Sequence, residues 1–128
     1  MNRRSRQTVQ RRQLDARLSK LSKLRVEAPP GGWIRAIACA LGMSKRQLAN
    51  RIGIAQPSVL DLENGEVEGT ISLKTLRRAA DALGCEVTYA LTPRSGSLEN
   101  VVKEQALFVA KKIIRQTAHT MDLEKQGL

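Results

Sequence analysis

Apolar residues recur at helical spacing along most of the chain, which predicts a mainly α protein. Leu14, Leu18 and Leu21 lie at i, i+4 and i+7 among basic and polar residues, the pattern of an amphipathic helix over residues 6–25. A Pro-Pro-Gly-Gly run then ends this helix. Similar spacings predict five more helices, which begin near Trp33, near Ser44, before Val59, near Ser72 and at Leu98.

Polar residues and glycines mark the ends of these helices. Ser44 and Gln47 have the spacing of a capping box, in which each side chain satisfies a backbone N–H of the other residue. Ser72 is a predicted N-cap, and Gly42 is placed for a left-handed C-terminal cap. The helix that carries Val59 is predicted to end at Gly65, with a loop over residues 66–71.

Residues 86–91 leave the helical period. Val87, Tyr89 and Leu91 alternate with small or polar residues, and β-branched and aromatic types are enriched, which predicts one short strand. The sequence shows no obvious partner strand, and a lone strand is not stable. Either the strand pairs with its copy in a second subunit, or the prediction fails.

The predicted helix over Leu98–Lys125 is long and has a wide apolar face. Two neighbouring stripes form this face: Val102, Ala106, Val109 and Ile113, and beside them Leu107, Ala110, Ile114, Ala118 and Met121. A face this wide requires another helix against it, either the basic N-terminal helix or a second subunit. We expect a homodimer through this helix, with a contribution from the strand.

The chain is strongly basic, with 22 Lys and Arg against 12 Asp and Glu and a net charge of +10. Such a charge predicts a polyanionic partner, of which nucleic acid is the first candidate. The first 25 residues contain nine of the cations and one acid, Asp15. Two interpretations of this segment stay open: an arm or helix that follows the DNA backbone, or a solvated, frayed terminus. The aromatic residues are few and favour duplex over single-stranded binding; they are Trp33, Tyr89 and Phe108.

Other functional classes have little support in the sequence. Cys39 and Cys85 lack CxxC or Cys/His spacing and lie in apolar surroundings, so we expect packed, reduced thiols and no metal. The single histidine, His119, has no recognisable catalytic partners, and no phosphate-binding loop occurs, so no enzyme and no cofactor are expected. Without a secretory signal or an apolar run of about 18 residues, we expect a cytoplasmic protein without membrane contact.

Between Lys45 and Leu62, the residues Ala49, Gly53 and Val59 have the spacing of a helix-turn-helix. The small Ala49 lets two helices approach, Gly53 permits the positive φ of the turn, and Val59 fills the crossing point. A second helix presented in this way fits the major groove of B-DNA, which is about 12 Å wide. An ordinary helical hairpin also uses small residues at its turn, and these three positions alone leave that alternative open.

Longer segments resemble a known family. SKRQLANRIGIAQPSVLDLENGE followed by SLKTLRRAADALGC is similar to the Cro and repressor type (XRE-like) of helix-turn-helix across Trp33–Cys85, which implies a lambda-repressor-like bundle. Flanking segments, among them GWIRAIACALGMSKRQLA and the terminal AHTMDLE, resemble the group called mobile mystery protein A. That group is typically encoded beside a Fic-domain protein, so the resemblance implies an antitoxin-like partner of a Fic toxin.

The resemblance also implies the DNA-binding residues. Those at base-contacting positions are Gln56, Pro57, Ser58 and Asp61, and those placed to touch phosphate are Lys45 and Asn64. Gln56 has the donor and acceptor needed for two bonds to adenine, while Ser58 is less selective. On the next helix, a solvated face is the favoured interpretation of Lys74, Arg77 and Arg78.

Three departures from the family pattern leave the operator sequence open. Ala55 replaces the usual capping Ser or Thr, Pro57 has no backbone donor, and Asp61 is an acid that faces a polyanion. The Asp61 carboxylate has two interpretations: it accepts from cytosine N4, or it repels non-specific DNA.

The segment Ser95-Gly96-Ser97-Leu98-Glu99-Asn100 meets a loose pattern of Fic-inhibiting antitoxins: Ser or Thr, three variable residues, then Glu and Gly or Asn. The resemblance implies that Glu99, with Ser95 and Asn100 completing the motif, pairs with a Fic arginine that otherwise holds the ATP γ-phosphate. AMP transfer is then blocked. The alternative is helix capping, in which Ser97 is the N-cap and Glu99 complements the helix dipole.

The sequence therefore predicts three segments: residues 1–30 as a basic helix and linker, 31–92 as a helix-turn-helix domain with one short strand, and 93–128 as a helix for partner binding. The predicted function is a DNA-binding regulator that is the antitoxin of a Fic-type pair, represses its own operon and inhibits AMP transfer. As a dimer, it would place two recognition helices about 34 Å apart on a two-fold symmetric operator. The alternatives are a mobile-element repressor without toxin inhibition and a Fic inhibitor with little DNA binding.

Overall fold

The computed structural model describes residues 2–127 and forms six α-helices within them. In chain order they are α1 Arg3–Ser22, α2 Trp33–Ala40, α3 Lys45–Ile52, α4 Pro57–Glu68, α5 Leu73–Ala82 and α6 Leu98–Lys125. The chain divides into two compact units. Val26–Tyr89 form the central unit, and the described residues up to Arg25 and from Ala90 onward form the terminal unit.

A small apolar core holds the central unit together. Helix α3 packs against α4 and α5, while α2 packs against α4. Leu48 and Val59 are the largest fully buried side chains, and Ala49 is buried beside them, as the helix-turn-helix spacing predicted. The remaining buried apolar residues are Ile34, Ala38, Ala79 and Leu83. Because the core is this small, polar contacts at the helix ends also hold the helices in position.

The predicted caps of α3 and α5 are confirmed. The Ser44 hydroxyl accepts from the Gln47 N–H at 3.1 Å, and the Gln47 side chain accepts from the Ser44 N–H at 2.9 Å. Ser72 caps α5 by accepting from the Thr75 N–H at 3.1 Å. These bonds join residues three apart in the chain, so they are set by local sequence.

Helix α4 is longer than predicted. It continues through Gly65 to Glu68 and ends at Gly69, which has φ +77°. The predicted loop over residues 66–71 is therefore wrong for its first three residues. Glycine inside a helix is unfavourable by about 1 kcal/mol relative to alanine, but it does not forbid the helix. The additional turn of α4 contributes to the fold, because it brings Glu66 to α2.

Glu66 closes the N-terminal end of α2. Its Oε2 accepts from the Trp33 N–H at 2.6 Å, and its Oε1 accepts from the Ile34 N–H at 2.9 Å. The N-cap residue Gly32 has φ +89° and offers no side chain of its own. This φ favours glycine, and a Cβ at Gly32 would lie 2.9 Å from the Glu66 carboxylate and would displace it. One carboxylate thus satisfies two helix N–H groups and joins α4 to α2.

Two arginines close the C-terminal ends of α3 and α5 reciprocally. Arg78 of α5 donates to the Ile52 carbonyl at 3.2 Å, and Arg51 of α3 donates to the Ala82 carbonyl at 3.4 Å. Arg77 lies over the ring of Tyr89, 5.8 Å from its centroid. Arg77 and Arg78 therefore contact other parts of the domain and do not form a fully solvated face.

The predicted short strand is wrong. Residues 85–92 have no regular secondary structure, and no strand occurs between residues 2 and 127. The physical reason is that no second extended segment of this chain is present there to complete a hydrogen-bonded ladder. Val87 is half-buried, whereas Tyr89 and Leu91 are 59% and 81% exposed. The alternation in the sequence therefore does not correspond to one buried face.

The two cysteines also differ from expectation. Both are free thiols, as predicted, but Cys39 and Cys85 are exposed rather than packed. Cys39 lies on the opposite side of α2 from Ile34 and Ala38, the residues that enter the core. The apolar neighbours in the sequence are neighbours along the chain and do not surround the thiol.

The terminal unit consists of α1 and α6 and has no buried residue in either helix. Asp15 of α1 caps α6: its carboxylate accepts from the Leu98 N–H at 2.7 Å and from the Glu99 N–H at 3.4 Å. Arg11 donates to the Glu99 carboxylate at 3.0 Å. Helix α1 is thus attached to the start of α6 mainly through charged groups. Within residues 2–127, no helix is long and apolar enough to cross a bilayer.

We predict that Glu66→Ala lowers the free energy of unfolding of the central unit by about 2 kcal/mol, because two N–H groups at the start of α2 lose their charged acceptor. Urea unfolding followed by circular dichroism measures this change. Glu68→Ala is the matched control, since Glu68 is an exposed carboxylate on the same helix. Equal stability of the two variants would contradict the assigned role of Glu66.

Candidate nucleic-acid interface

Helices α3 and α4 are joined by a tight turn at Gly53. Gly53 has φ +85°, the left-handed conformation that the spacing predicted, and its N–H donates to the Ala49 carbonyl at 2.8 Å. The Ile54 N–H donates to the same carbonyl at 3.0 Å. Val59, with no exposed surface, anchors the first turn of α4 against α3. The direction in which α4 leaves the turn is therefore defined by backbone bonds and by one buried side chain.

The start of α4 leaves its polar side chains free. Pro57 is the first helical residue, a position where its missing N–H costs nothing. Gln56 occupies the N-cap position with φ −52° and makes no side-chain cap bond. Because backbone geometry and Pro57 begin the helix, the Gln56 amide is exposed and available for contacts outside the chain.

The predicted DNA-contacting residues of α4 share one exposed side of the helix. Pro57, Asp61 and Asn64 lie at i, i+4 and i+7 and are all exposed. Ser58 is half-buried and turns towards an open groove, which Asp61 also lines. The structure therefore brings these four residues together beside Gln56.

Lys45, at the first position of α3, is partnered within the domain. Its Nζ lies 3.9 Å from the Glu63 Oε2, and the Glu63 side chain is only 7% exposed. Glu63 was not among the predicted site residues. Its position four residues after Val59 places both residues on the inward side of α4, and this spacing could have indicated that Glu63 is buried. Glu63 holds the lysine near α4 and neutralises part of its charge.

Helix α4, which is predicted to contact DNA, carries four carboxylates and no Lys or Arg. Two of the acids, Glu63 and Glu66, are turned inward to Lys45 and to the start of α2. The other two, Asp61 and Glu68, are exposed and lie seven residues apart on the predicted contact side. The central unit as a whole contains seven Lys and Arg and seven Asp and Glu, so its net charge is zero. Its attraction to phosphate is correspondingly weak.

The residues of the Fic-inhibitor pattern lie in the terminal unit, at the start of α6. Ser97 accepts from the Asn100 N–H at 3.1 Å, and the Asn100 side chain donates to the Ser95 carbonyl at 2.8 Å. Glu99 pairs with Arg11, and its side chain is 42% exposed. The structure thus brings Ser95, Glu99 and Asn100 together in the arrangement expected of a helix cap.

Comparison with known proteins agrees with this geometry. Residues 34–89 match the family model described as helix-turn-helix. This segment is therefore similar to the helix-turn-helix domains that the model represents. The match supports a DNA-binding transcription regulator. It covers α2 to α5 and leaves α1 and α6 outside. Searches of curated proteins and of solved structures find no match to the chain.

Proposed function

We propose that the chain is a sequence-specific repressor that places α4 of its helix-turn-helix domain in the major groove of duplex DNA. The observation that carries this proposal is the side of α4 that presents Pro57, Asp61 and Asn64 beside the free Gln56 amide. The opposite side is anchored by Val59 and Glu66, so the contact side has a defined direction.

Each polar residue of this side has a distinct role. Gln56 makes two hydrogen bonds to adenine, and Asp61 accepts from cytosine N4 while it repels DNA that lacks a matching donor. Lys45, oriented by Glu63, and Asn64 bind phosphate and set the register of the helix on the duplex. A neutral domain of this kind binds through specific contacts more than through general attraction.

We predict that Gln56→Ala weakens operator binding by about 1–3 kcal/mol, or roughly 5- to 150-fold, and leaves binding to random duplex unchanged. Gel shifts with DNA from upstream of the gene and with random competitor measure both. Glu68→Ala is the control, since it removes an exposed acid from the same helix and strengthens both complexes alike. If wild-type binding is indifferent to sequence, the repressor proposal fails.

We further propose that the repressor is a homodimer through α6. Between Ala106 and Met121 the apolar residues of α6, apart from Phe108 on the opposite side, cover about half of the circumference and are exposed, while α1 contacts the start of the helix. No charged side chain interrupts this face, because the cations of that stretch lie on the other side, at Lys111, Lys112 and Arg115. Two copies can therefore pair without placing like charges opposite each other.

We predict that Ile113→Gln combined with Ile114→Gln converts dimers into monomers, because the two exposed isoleucines lie on either side of the middle of the apolar face. Sedimentation equilibrium measures the mass. Lys111→Gln combined with Lys112→Gln is the matched control on the opposite side and leaves the dimer intact. An unchanged mass for the first variant would show that α6 is not the dimer contact.

A second proposed role is inhibition of a Fic toxin through Glu99. The favouring observation is that this carboxylate, in the first turn of a capped helix, already binds a guanidinium, that of Arg11 at 3.0 Å. A Fic arginine that displaces Arg11 would form the same charge-assisted pair and could no longer hold the ATP γ-phosphate.

We predict that the wild-type chain suppresses AMP transfer by the neighbouring Fic enzyme and that Glu99→Ala restores it. Transfer of labelled AMP is the measurement. Glu104→Ala, an exposed acid of the same helix, should suppress as the wild type does. Equal suppression by Glu99→Ala and the wild type would remove Glu99 from the mechanism.

A further inference from the structure

The charge of the chain is separated between its two units. The terminal unit holds 15 of the 22 Lys and Arg but only five of the 12 Asp and Glu. The whole net charge of +10 therefore belongs to the terminal unit, and the helix-turn-helix domain contributes none. Since general affinity for DNA comes from neutralised phosphates, the terminal unit is the better candidate for additional affinity beyond the phosphate contacts proposed for Lys45 and Asn64.

The only acid of α1, Asp15, faces α6. Asp15 accepts from the N–H groups of Leu98 and Glu99, and Arg11 pairs with the Glu99 side chain. Leu18, one turn further, is half-buried on the same side. These contacts define which side of α1 faces α6, and they remove the acid from the opposite side.

The opposite side of α1 is a continuous polar stripe. Its members lie at i, i+4, i+7, i+11 and i+14 and are all exposed; they are Arg6, Gln10, Gln13, Arg17 and Lys20. We call this set the outward stripe. It contains no acid and no apolar residue, and its middle lines an open groove together with the exposed Leu14. The stripe is about 21 Å long at 1.5 Å per residue, which matches roughly six base-pair steps.

The stripe is presented on a formed helix. Asn2 caps α1 by accepting from the Ser5 N–H at 2.8 Å, and α1 continues unbroken to Ser22. The cations of the stripe are therefore held in fixed register and are not those of a frayed terminus. Held in this way, they lose less conformational entropy on binding than cations of a disordered tail.

We propose that the outward stripe of α1 binds the phosphate backbone of duplex DNA and supplies affinity that the neutral helix-turn-helix domain lacks. The inference rests on the proposed DNA-binding function. Arginine, lysine and glutamine side chains all donate hydrogen bonds to phosphate oxygens, so every residue of the stripe can contact the DNA backbone. The stripe has no aromatic side chain on which single-stranded bases stack, so duplex DNA is the favoured polyanion.

The test is the salt dependence of DNA binding by the full chain. The variant Arg6→Gln, Arg17→Gln, Lys20→Gln removes three cations from the stripe. The control Lys111→Gln, Lys112→Gln, Arg115→Gln removes the same charge from α6. Glutamine is a good helix former, and all six positions are exposed, so circular dichroism should report unchanged helix content for both.

For the stripe variant, we expect the slope of log K against log salt concentration to fall in magnitude by about 2.7, since each phosphate contact contributes about 0.9. Operator and random duplex should weaken by the same factor, so that the specificity ratio is unchanged. The control should change the slope by less than half as much.

Three results overturn the inference. The first is an unchanged slope for the stripe variant, and the second is an equal change for both variants, which would mean that only net charge acts. The third is binding of polyglutamate as tight as that of duplex at the same salt concentration, which would point to acidic proteins. If the wild type still prefers its operator in these cases, the proposed repressor function stands; if the wild type binds no DNA, both fall.

Discussion

The two hydrogen bonds that Glu66 accepts at the start of α2 fix α4 in the domain. The N–H groups of Trp33 and Ile34 have no acceptor within α2, and Glu66 supplies both oxygens from α4. Gly32 lets the carboxylate come so close, because it has no Cβ. Val59 anchors the first turn of α4, and Glu66 anchors its last part. With both ends held, the side that carries Asp61 and Asn64 has one direction.

Helix α4 has no cations, so the positions of its acids matter for the DNA contact proposed for it. Glu63 and Glu66 act inside the domain, where one orients Lys45 and the other caps α2. The domain is left neutral, a state that weakens binding to arbitrary sequences and gives more weight to base contacts. The cations of the chain are concentrated in α1 and α6 instead. Under the proposals above, specificity and general affinity therefore reside in different units.

The terminal unit is held together by polar contacts at one place. Asp15 and Arg11 meet the first turn of α6, and neither helix buries a side chain. Most of the apolar face of α6 is exposed, and the proposed dimer would cover it. Glu99 has two roles, one observed and one proposed: it pairs with Arg11 of α1, and it is the proposed inhibitory carboxylate. Displacement of Arg11 by a toxin arginine would then loosen α1 from α6.

Local patterns in the sequence determined the helices, the capping box of α3, the N-cap of α5 and the turn at Gly53, because each depends on residues within about four positions of one another. The core residues Leu48, Ala49 and Val59 were also predictable, since helical period alone selects them. The exposed residues Gln56, Asp61 and Asn64 came from position in a motif, and their contact with DNA stays a proposal.

Tertiary structure alone decided the rest. Glu66 and Arg51 act on backbone groups more than 30 residues away, and Arg78 acts across 26, distances over which a single sequence carries no pattern. The predicted strand failed for the same reason: alternation is local, but a strand exists only with a partner. Glu63 was not predicted, because the sequence does not show that Lys45 lies beside this buried acid.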